Sequence, residues 1–158
     1  MPDSPELPAV LAPLAFLLGT WRGEGVGGYP TIEGFTYGQE VSFSWYGKPV
    51  LAYSSRTWAL DNGRPMAVES GFWRPGAGGV VEVTMAHPTG IVELYYGEVR
   101  GTQVELATDV VARTTSAKDV SALKRLYGLV EGELMYAIDM AAVGQPMQPH
   151  LSARLARV

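Results

Sequence analysis

The sequence predicts an all-β fold, a ten-stranded antiparallel up-and-down β-barrel with a short N-terminal helix. The 158 residues include 19 glycines and 11 prolines, which suit a fold with many tight turns. Between them, short runs of alternating apolar and polar residues recur roughly every 8–12 residues, as in antiparallel β-proteins. Short connections pair the strands in chain order, and closing the sheet removes the edges that a long meander would leave unpaired.

The N-terminal part of the chain predicts two features before the first strand. Residues 1–6, MPDSPE, are polar and proline-rich, so we expect a flexible end followed by a single barrel domain over residues 7–158. Apolar residues are too dense for a strand from Pro8 to Leu18. Pro8 suits the first turn of a helix, and Pro13 limits that helix to about two turns.

The strands follow from alternation and from turn residues. Asp61-Asn62-Gly63 and Glu131-Gly132 supply residues that tolerate positive φ in tight hairpins. The alternation predicts a largely apolar interior, with carboxylates such as Glu69 and Glu93 facing solvent. Barrels of this size can hold one small ligand. The predicted strands are Trp21–Gly27, Thr36–Tyr46, Pro49–Ala59, Arg64–Arg74, Gly79–Ala86, Ile91–Arg100, Gln103–Val111, Ala122–Val130, Glu133–Ala142 and Gln148–Arg157.

Composition excludes several classes of function. Twelve cations stand against 16 acids, for a net charge of −4, so no nucleic-acid partner is expected. The apolar stretch from Leu7 to Leu18 is shorter than the roughly 20 residues that span a bilayer and lacks a signal peptide's cationic start. We therefore expect no membrane partner and a cytoplasmic location. The absence of cysteine excludes thiolate catalysis, disulfides and iron–sulfur clusters.

The chain contains only two histidines, so few hypotheses for histidine-based catalysis or metal binding are possible. Pro149 stiffens the backbone before His150, which favours a fixed imidazole suited to single axial ligation of a haem iron. A structural histidine is the alternative. In a regular strand an inward His150 would also turn Ser152 and Arg154 inward, unless the strand starts with a bend. His87 precedes a predicted hairpin turn and is interpreted as a loop histidine, although it could approach a ligand on the side away from His150.

The most specific string is GTWRGEGVGGYPTI, from Gly19 to Ile32. Its glycines predict a first strand that bends or lies close to another backbone, whether or not it has a ligand role. It is no phosphate loop, because no GK[ST] ending follows. We also expect a cation–π contact between Trp21 and Arg154 or Arg157, because the first and last strands of a closed barrel are neighbours.

These residues carry a family resemblance. GTWRGEGVGGYPTI resembles the GxWxGxG signature and following YPTI of the nitrobindins, and GQPMQPHLSARLARV resembles their C-terminal segment with its histidine. The stretches GKPVLAY, ESGFWR, MAHPTGIVEL and TTSAKDVSALKRLY are also similar to bacterial nitrobindins, so the resemblance extends from about Leu11 over nearly the whole chain.

The resemblance implies a barrel shaped like lipocalins and fatty-acid-binding proteins that holds one ferric b-type haem per chain. It implies that His150 is the axial and catalytic iron ligand, and that Thr31 and Lys118 lie near the haem. The signature positions matched to the cofactor site are Gly19, Trp21, Gly23 and Gly25. The implied activity is isomerisation of peroxynitrite to nitrate, with reversible binding of nitric oxide.

Two alternatives stay open on the sequence. The first is a lipocalin-like carrier in which Arg154 or Lys118 pairs with the carboxylate of an apolar ligand. The second is a haem-based nitric oxide sensor or carrier without turnover. The sequence is compatible with a homodimer.

Overall fold

The computed structural model describes residues 6–158, which form a closed antiparallel barrel of ten strands and confirm the predicted fold class. A 3-10 helix, Ala9–Leu17, comes first. The strands are β1 (Gly19–Tyr29), β2 (Ile32–Trp45), β3 (Leu51–Ala59), β4 (Pro65–Pro75), β5 (Val80–His87), β6 (Ile91–Arg100), β7 (Gln103–Arg113), β8 (Val120–Val130), β9 (Glu133–Ala142) and β10 (Gln148–Arg157), with a second 3-10 segment at Ala77–Gly79. Each strand pairs with the next, and β1 pairs with β10 to close the barrel.

The strand boundaries agree with prediction to within a few residues except at the first hairpin. The sequence predicts an end at Gly27 and a restart at Thr36, whereas β1 runs to Tyr29 and β2 begins at Ile32. A two-residue turn that starts at Pro30 joins them, because proline already has the φ that a tight turn requires. The glycine-rich segment is therefore strand rather than loop.

The 3-10 helix closes one end of the barrel. Leu11, Leu14 and Leu17 are fully buried, and Trp21 Nε1 donates a 2.9 Å hydrogen bond to the Leu17 carbonyl. The Arg157 guanidinium carbon lies 4.1 Å from the Trp21 ring centroid, which confirms the predicted cation–π contact. Because this end is filled, the barrel opens at the other end, where the β1–β2, β7–β8 and β9–β10 connections lie.

Aromatic rings fill much of the interior above the closed end. The Phe43 and Trp73 rings are edge-on with centroids 5.1 Å apart, and Trp73 packs in the same way on Tyr127 at 5.1 Å. Tyr53 completes the group, 5.1 Å from Phe43. Such edge-to-face pairs add to the stabilisation that apolar burial gives.

The interior is more polar than the sequence predicts. Gln39, Ser55, Glu93 and Arg125 are each at most 5% exposed, and the Glu69 side chain is 15% exposed. The prediction that Glu69 and Glu93 face solvent is wrong. Alternation separates the two faces of a strand, but a carboxylate is stable on the inner face when a cation and hydrogen-bond donors meet it there.

The ten strands close into one barrel, and the division into a flexible end over residues 1–6 and a domain over residues 7–158 stays a prediction. Residues 1–5 of the predicted flexible end lie outside the described residues, and Glu6 is exposed. No helix in the part of the chain that the structure describes is both long enough and apolar enough to cross a bilayer.

We expect Gly23→Ala to destabilise the seam between β1 and β10. A Cβ at Gly23 would lie 2.1 Å from the Arg154 carbonyl oxygen and 2.9 Å from Leu155 Cα, so the strands must separate, at a cost of about 1–3 kcal/mol. Urea denaturation measures the loss. The matched control is Gly128→Ala, where the nearest atom would be 3.6 Å away. Equal effects of the two substitutions would contradict the close approach at Gly23.

Candidate functional site

A cavity of about 150 Å³ reaches into the barrel from its open end. This enclosed volume is smaller than the roughly 300–1,000 Å³ that is usual for small-molecule and cofactor sites, so a cofactor held here would extend past the mouth. The wall combines apolar and aromatic side chains with a few buried polar groups, as such sites generally do. The lining residues are Phe35, Tyr37, Gln39, Tyr53, Ser55, Thr57, Met66, Ala67, Glu69, Arg125, Tyr127, Tyr136, Ile138, His150 and Leu151.

His150 reaches this cavity because β10 contains a β-bulge. Pro149 pairs with Asp139 of β9 and Leu151 pairs with the adjacent Ile138, so His150 is the extra residue. A bulge re-aims a side chain that regular alternation would send to the other face. His150 and Leu151 consequently both line the cavity, although they are neighbours in sequence.

The bulge also removes the conflict that a regular strand would create. Ser152 and Arg154 are exposed, whereas Ala153 and Leu155 are buried. Arg154 donates to Glu133 on the outer surface through a 2.8 Å bond, so the predicted alternative contact of Arg154 with Trp21 is wrong. The bend that an inward-facing His150 needs is present at His150 itself.

The imidazole of His150 is held in one orientation. Its Nδ1 lies 3.0 Å from the Gly28 carbonyl oxygen, and because a carbonyl only accepts, Nδ1 carries the hydrogen. The Tyr29 ring packs edge-on against the imidazole at 5.6 Å. The Tyr29 hydroxyl donates to the Met140 carbonyl at 2.9 Å and accepts the Ala142 N–H at 3.0 Å.

An imidazole with hydrogen on Nδ1 presents the Nε2 lone pair as its remaining binding group. A backbone carbonyl that accepts from the other ring nitrogen is the usual support of a metal-bound histidine. One oriented imidazole beside a largely apolar and aromatic cavity wall fits single axial ligation of a haem. The described residues contain no cluster of three or more histidine and carboxylate side chains that could hold a free metal ion.

Thr31 and Lys118 lie at the open end but outside the cavity lining. Thr31 is exposed in the β1–β2 turn, and Lys118 is exposed in the β7–β8 connection. The Lys118 carbonyl accepts the Val120 N–H at 3.0 Å, which shapes that connection. Their contact with a cofactor stays a prediction.

The four signature positions have packing roles in β1. Gly19 and Trp21 lie near the closed end, away from His150. A Cβ at Gly25 would lie 2.4 Å from the Tyr37 ring, so the missing side chain makes room for a ring that lines the cavity. Direct cofactor contact by Gly19, Trp21, Gly23 and Gly25 stays a prediction.

Arg125 forms a buried ionic cluster that the sequence analysis missed. Its Nη1 and Nη2 donate to the two Glu69 carboxylate oxygens at 3.2 and 2.7 Å, and Nη2 also reaches Glu93 at 3.4 Å. Its Nε donates to the Tyr95 hydroxyl and its Nη1 to the Tyr127 hydroxyl, at 2.8 and 3.0 Å. A buried guanidinium with this many acceptors is held rigidly.

His87 completes the cluster rather than lying in a loop, so that interpretation is wrong. It is the last residue of β5, with Nε2 2.8 Å from Glu93 Oε1 and Nδ1 3.8 Å from Glu69 Oε2. It is absent from the cavity lining, which removes the support for its approach to a ligand there.

Charges within the cluster shift the pKa values of its members. Burial would raise the pKa of Glu69, but the Arg125 charge and hydrogen bonds outweigh it and lower the pKa to about 2. Burial would lower the pKa of His87, but the Glu93 hydrogen bond and the charges of Glu69 and Glu93 raise it above its usual value. When His87 is protonated, its charge and that of Arg125 balance the two carboxylates of Glu69 and Glu93.

The alternation of residues in β6 and β8 predicts part of the Arg125 cluster. Leu123, Arg125 and Tyr127 alternate in β8, and Ile91, Glu93 and Tyr95 alternate in β6. Because residues two apart share a strand face, the apolar neighbours place Arg125 and Glu93 inside. The side chains of β4, β6 and β8 meet inside the barrel although these strands are not hydrogen-bonded neighbours, and alternation within one strand does not reveal that contact.

The geometry defines a class of protein: a closed β-barrel whose open cavity presents one oriented imidazole. Comparison with known proteins identifies the family. Residues 10–157 match the model described as the THAP4-like, heme-binding beta-barrel domain. The chain belongs to this family, the nitrobindin family that its motifs resemble.

Individual relatives match over nearly their full length. The chain is 57% identical to the peroxynitrite isomerase of Frankia casuarinae, over 97% of this chain and 88% of that protein. It is 52% identical to the peroxynitrite isomerase of Salinispora arenicola, over 98% of this chain and 83% of that protein. The crystal structure of Rv2717c from M. tuberculosis superposes with a TM-score of 0.91 at 42% identity, covering 97% and 99% of the two chains.

We expect His87 to stabilise the fold more at pH 5.5 than at pH 9. Its pKa is higher in the folded than in the unfolded chain. The contribution is therefore complete below the ordinary histidine pKa of about 6.5 and disappears as pH rises through the raised folded value. The measurement is urea unfolding of wild type and His87→Gln between pH 5.5 and pH 9, with the difference expected to shrink as pH rises.

Thr84→Val is the matched control for this series. Thr84 is an exposed residue of the same strand, and the substitution changes no titratable group, so its effect should not vary with pH. A difference between wild type and His87→Gln that stays flat or grows with pH would contradict the charged imidazole.

Proposed function

We propose that this chain binds one b-type haem in the open cavity through His150 and isomerises peroxynitrite to nitrate. The observation that carries the proposal is the His150 hydrogen bond to the Gly28 carbonyl, which leaves Nε2 as the free ligand atom. Relatives named peroxynitrite isomerase support the activity. Reversible binding of nitric oxide at the same position is part of the proposal.

The haem iron supplies the Lewis-acid and redox chemistry, and the chain supplies position and surroundings. His150 orients the group through its fixed ring. Phe35, Ile138 and Leu151 provide apolar surface in the cavity wall that excludes water. Thr31 would lie against the haem edge, and Lys118 would attract a propionate or an incoming anion from its exposed connection at the open end.

The carrier alternative has less support from the interior charges. Arg154 pairs with Glu133 on the outer surface, so it offers no counter-ion inside the barrel. Arg125 faces the cavity, but both of its terminal nitrogens already donate to carboxylates or phenols. A fatty-acid carboxylate would have to displace Glu69 from Arg125, at the cost of leaving a buried carboxylate unpaired.

Hemin titration tests the cofactor assignment. Wild type should develop a Soret band that saturates at one haem per chain, and His150→Gly should lose it and regain it with added imidazole. His87→Gln is the matched control, since it changes the only other histidine and should keep the band. Equal spectra of wild type and His150→Gly would overturn the axial assignment.

Stopped-flow measurement of peroxynitrite decay tests the activity. The ferric haem-loaded protein should accelerate the decay in proportion to its concentration and raise the nitrate yield, while protecting free tyrosine from nitration. Decay at the rate of buffer, in protein that binds nitric oxide reversibly, would replace the isomerase with the sensor or carrier.

A further inference from the structure

A second group of polar side chains, joined to one another by hydrogen bonds, lines the cavity and is separate from the Arg125 cluster. Gln39 Nε2 of β2 donates to Ser55 Oγ of β3 at 2.8 Å. The Tyr136 hydroxyl of β9 donates to Gln39 Oε1 at 2.5 Å, and the Tyr37 hydroxyl lies 2.7 Å from that of Tyr136. All four side chains line the cavity.

The directions of these bonds leave the Ser55 hydroxyl hydrogen without an acceptor in the network. Tyr136 donates its hydrogen to the Gln39 oxygen, so the single Tyr37 hydrogen is shared between the Tyr136 oxygen at 2.7 Å and the Ser152 carbonyl at 3.3 Å. The Gln39 amide nitrogen then faces Ser55, whose oxygen acts as acceptor. Among the described residues, no hydrogen bond has Ser55 Oγ as its donor.

Within this network the Ser55 hydroxyl accepts a hydrogen from Gln39 and keeps its own hydrogen available to a ligand. The residue is 5% exposed, lines the cavity, and is fixed through Gln39, which is itself 4% exposed. A buried hydroxyl hydrogen without a partner costs free energy that a ligand acceptor would recover. The cavity thus contains a preorganised hydrogen-bond donor at a defined place in its wall.

We propose that the Ser55 hydroxyl donates a hydrogen bond to the anionic ligand held in the cavity. The proposal rests on the proposed haem function and adds a contact that selects anions with an oxygen or fluoride acceptor. The only guanidinium of the wall, Arg125, is committed to Glu69 and Glu93. A neutral donor in a site that excludes water can provide the stabilisation that this cation does not.

Fluoride binding to the ferric haem-loaded protein provides the direct readout, since fluoride is a small anion and a strong hydrogen-bond acceptor. Ser55→Ala should weaken fluoride affinity about tenfold, as expected for loss of a hydrogen bond to a charged group. Ser55→Thr keeps the hydroxyl and should restore most of the affinity. Carbon monoxide on the ferrous protein carries no charge, so its affinity should change by less than about twofold.

Ser54→Ala is the matched control. Ser54 precedes Ser55 in β3 and is exposed on the outer surface, so fluoride affinity should equal that of wild type. The Soret band of each variant reports haem loading and the integrity of the fold before ligand is added.

The outcomes separate the two proposals. Fluoride affinity unchanged in Ser55→Ala, in protein that binds haem normally, would overturn the Ser55 contact alone and indicate that the Gln39 amide is reversed. Equal losses of fluoride and carbon monoxide would also overturn it, because they indicate a general distortion. A wild type without a Soret band would overturn both the haem function and this contact.

Discussion

The hydrogen bond between His150 and the Gly28 carbonyl depends on one extra residue in β10. Without the bulge, alternation would place His150 on the face opposite Leu151. With it, the ring enters the cavity, and Nδ1 meets a carbonyl of the neighbouring strand at 3.0 Å. A single backbone irregularity thus selects the face, the orientation and the tautomer of the only imidazole in the cavity wall.

The two ends of the barrel are specialised by different parts of the sequence. The 3-10 helix, Trp21 and Arg157 seal one end, so ligand access is confined to the end where β1 meets β10 at His150. Glycines of β1 help to close the barrel wall, because Gly23 lets β10 approach β1 and Gly25 makes room for the Tyr37 ring. The signature string is thus explained largely by closure of the barrel, a prerequisite for any cavity.

Local patterns in the sequence predict the strands and the rigidity of His150, because alternation, turn residues and adjacent prolines are local properties. The ionic cluster was missed because Glu69, Glu93 and Arg125 come from three strands far apart in sequence, and only the curvature of the sheet brings their side chains together. The hydrogen-bond network from Ser55 to Tyr37 was missed for the same reason, because its residues come from β2, β3 and β9. Alternation indicates that an inward-facing His150 needs a bend to keep Ser152 and Arg154 outside, but the position of the bulge depends on pairing with β9.

The tautomer of His150 tests the central claim most directly. In apo protein labelled with ¹⁵N at histidine, long-range nitrogen–proton correlation spectra near pH 8.5 distinguish hydrogen on Nδ1 from hydrogen on Nε2. His87→Gln assigns the two rings. The account predicts that His150 carries its hydrogen on Nδ1 alone, and that a hydrogen-bonded Nδ1 proton is observed. Hydrogen on Nε2, or rapid averaging of the two forms as in free imidazole, would contradict it.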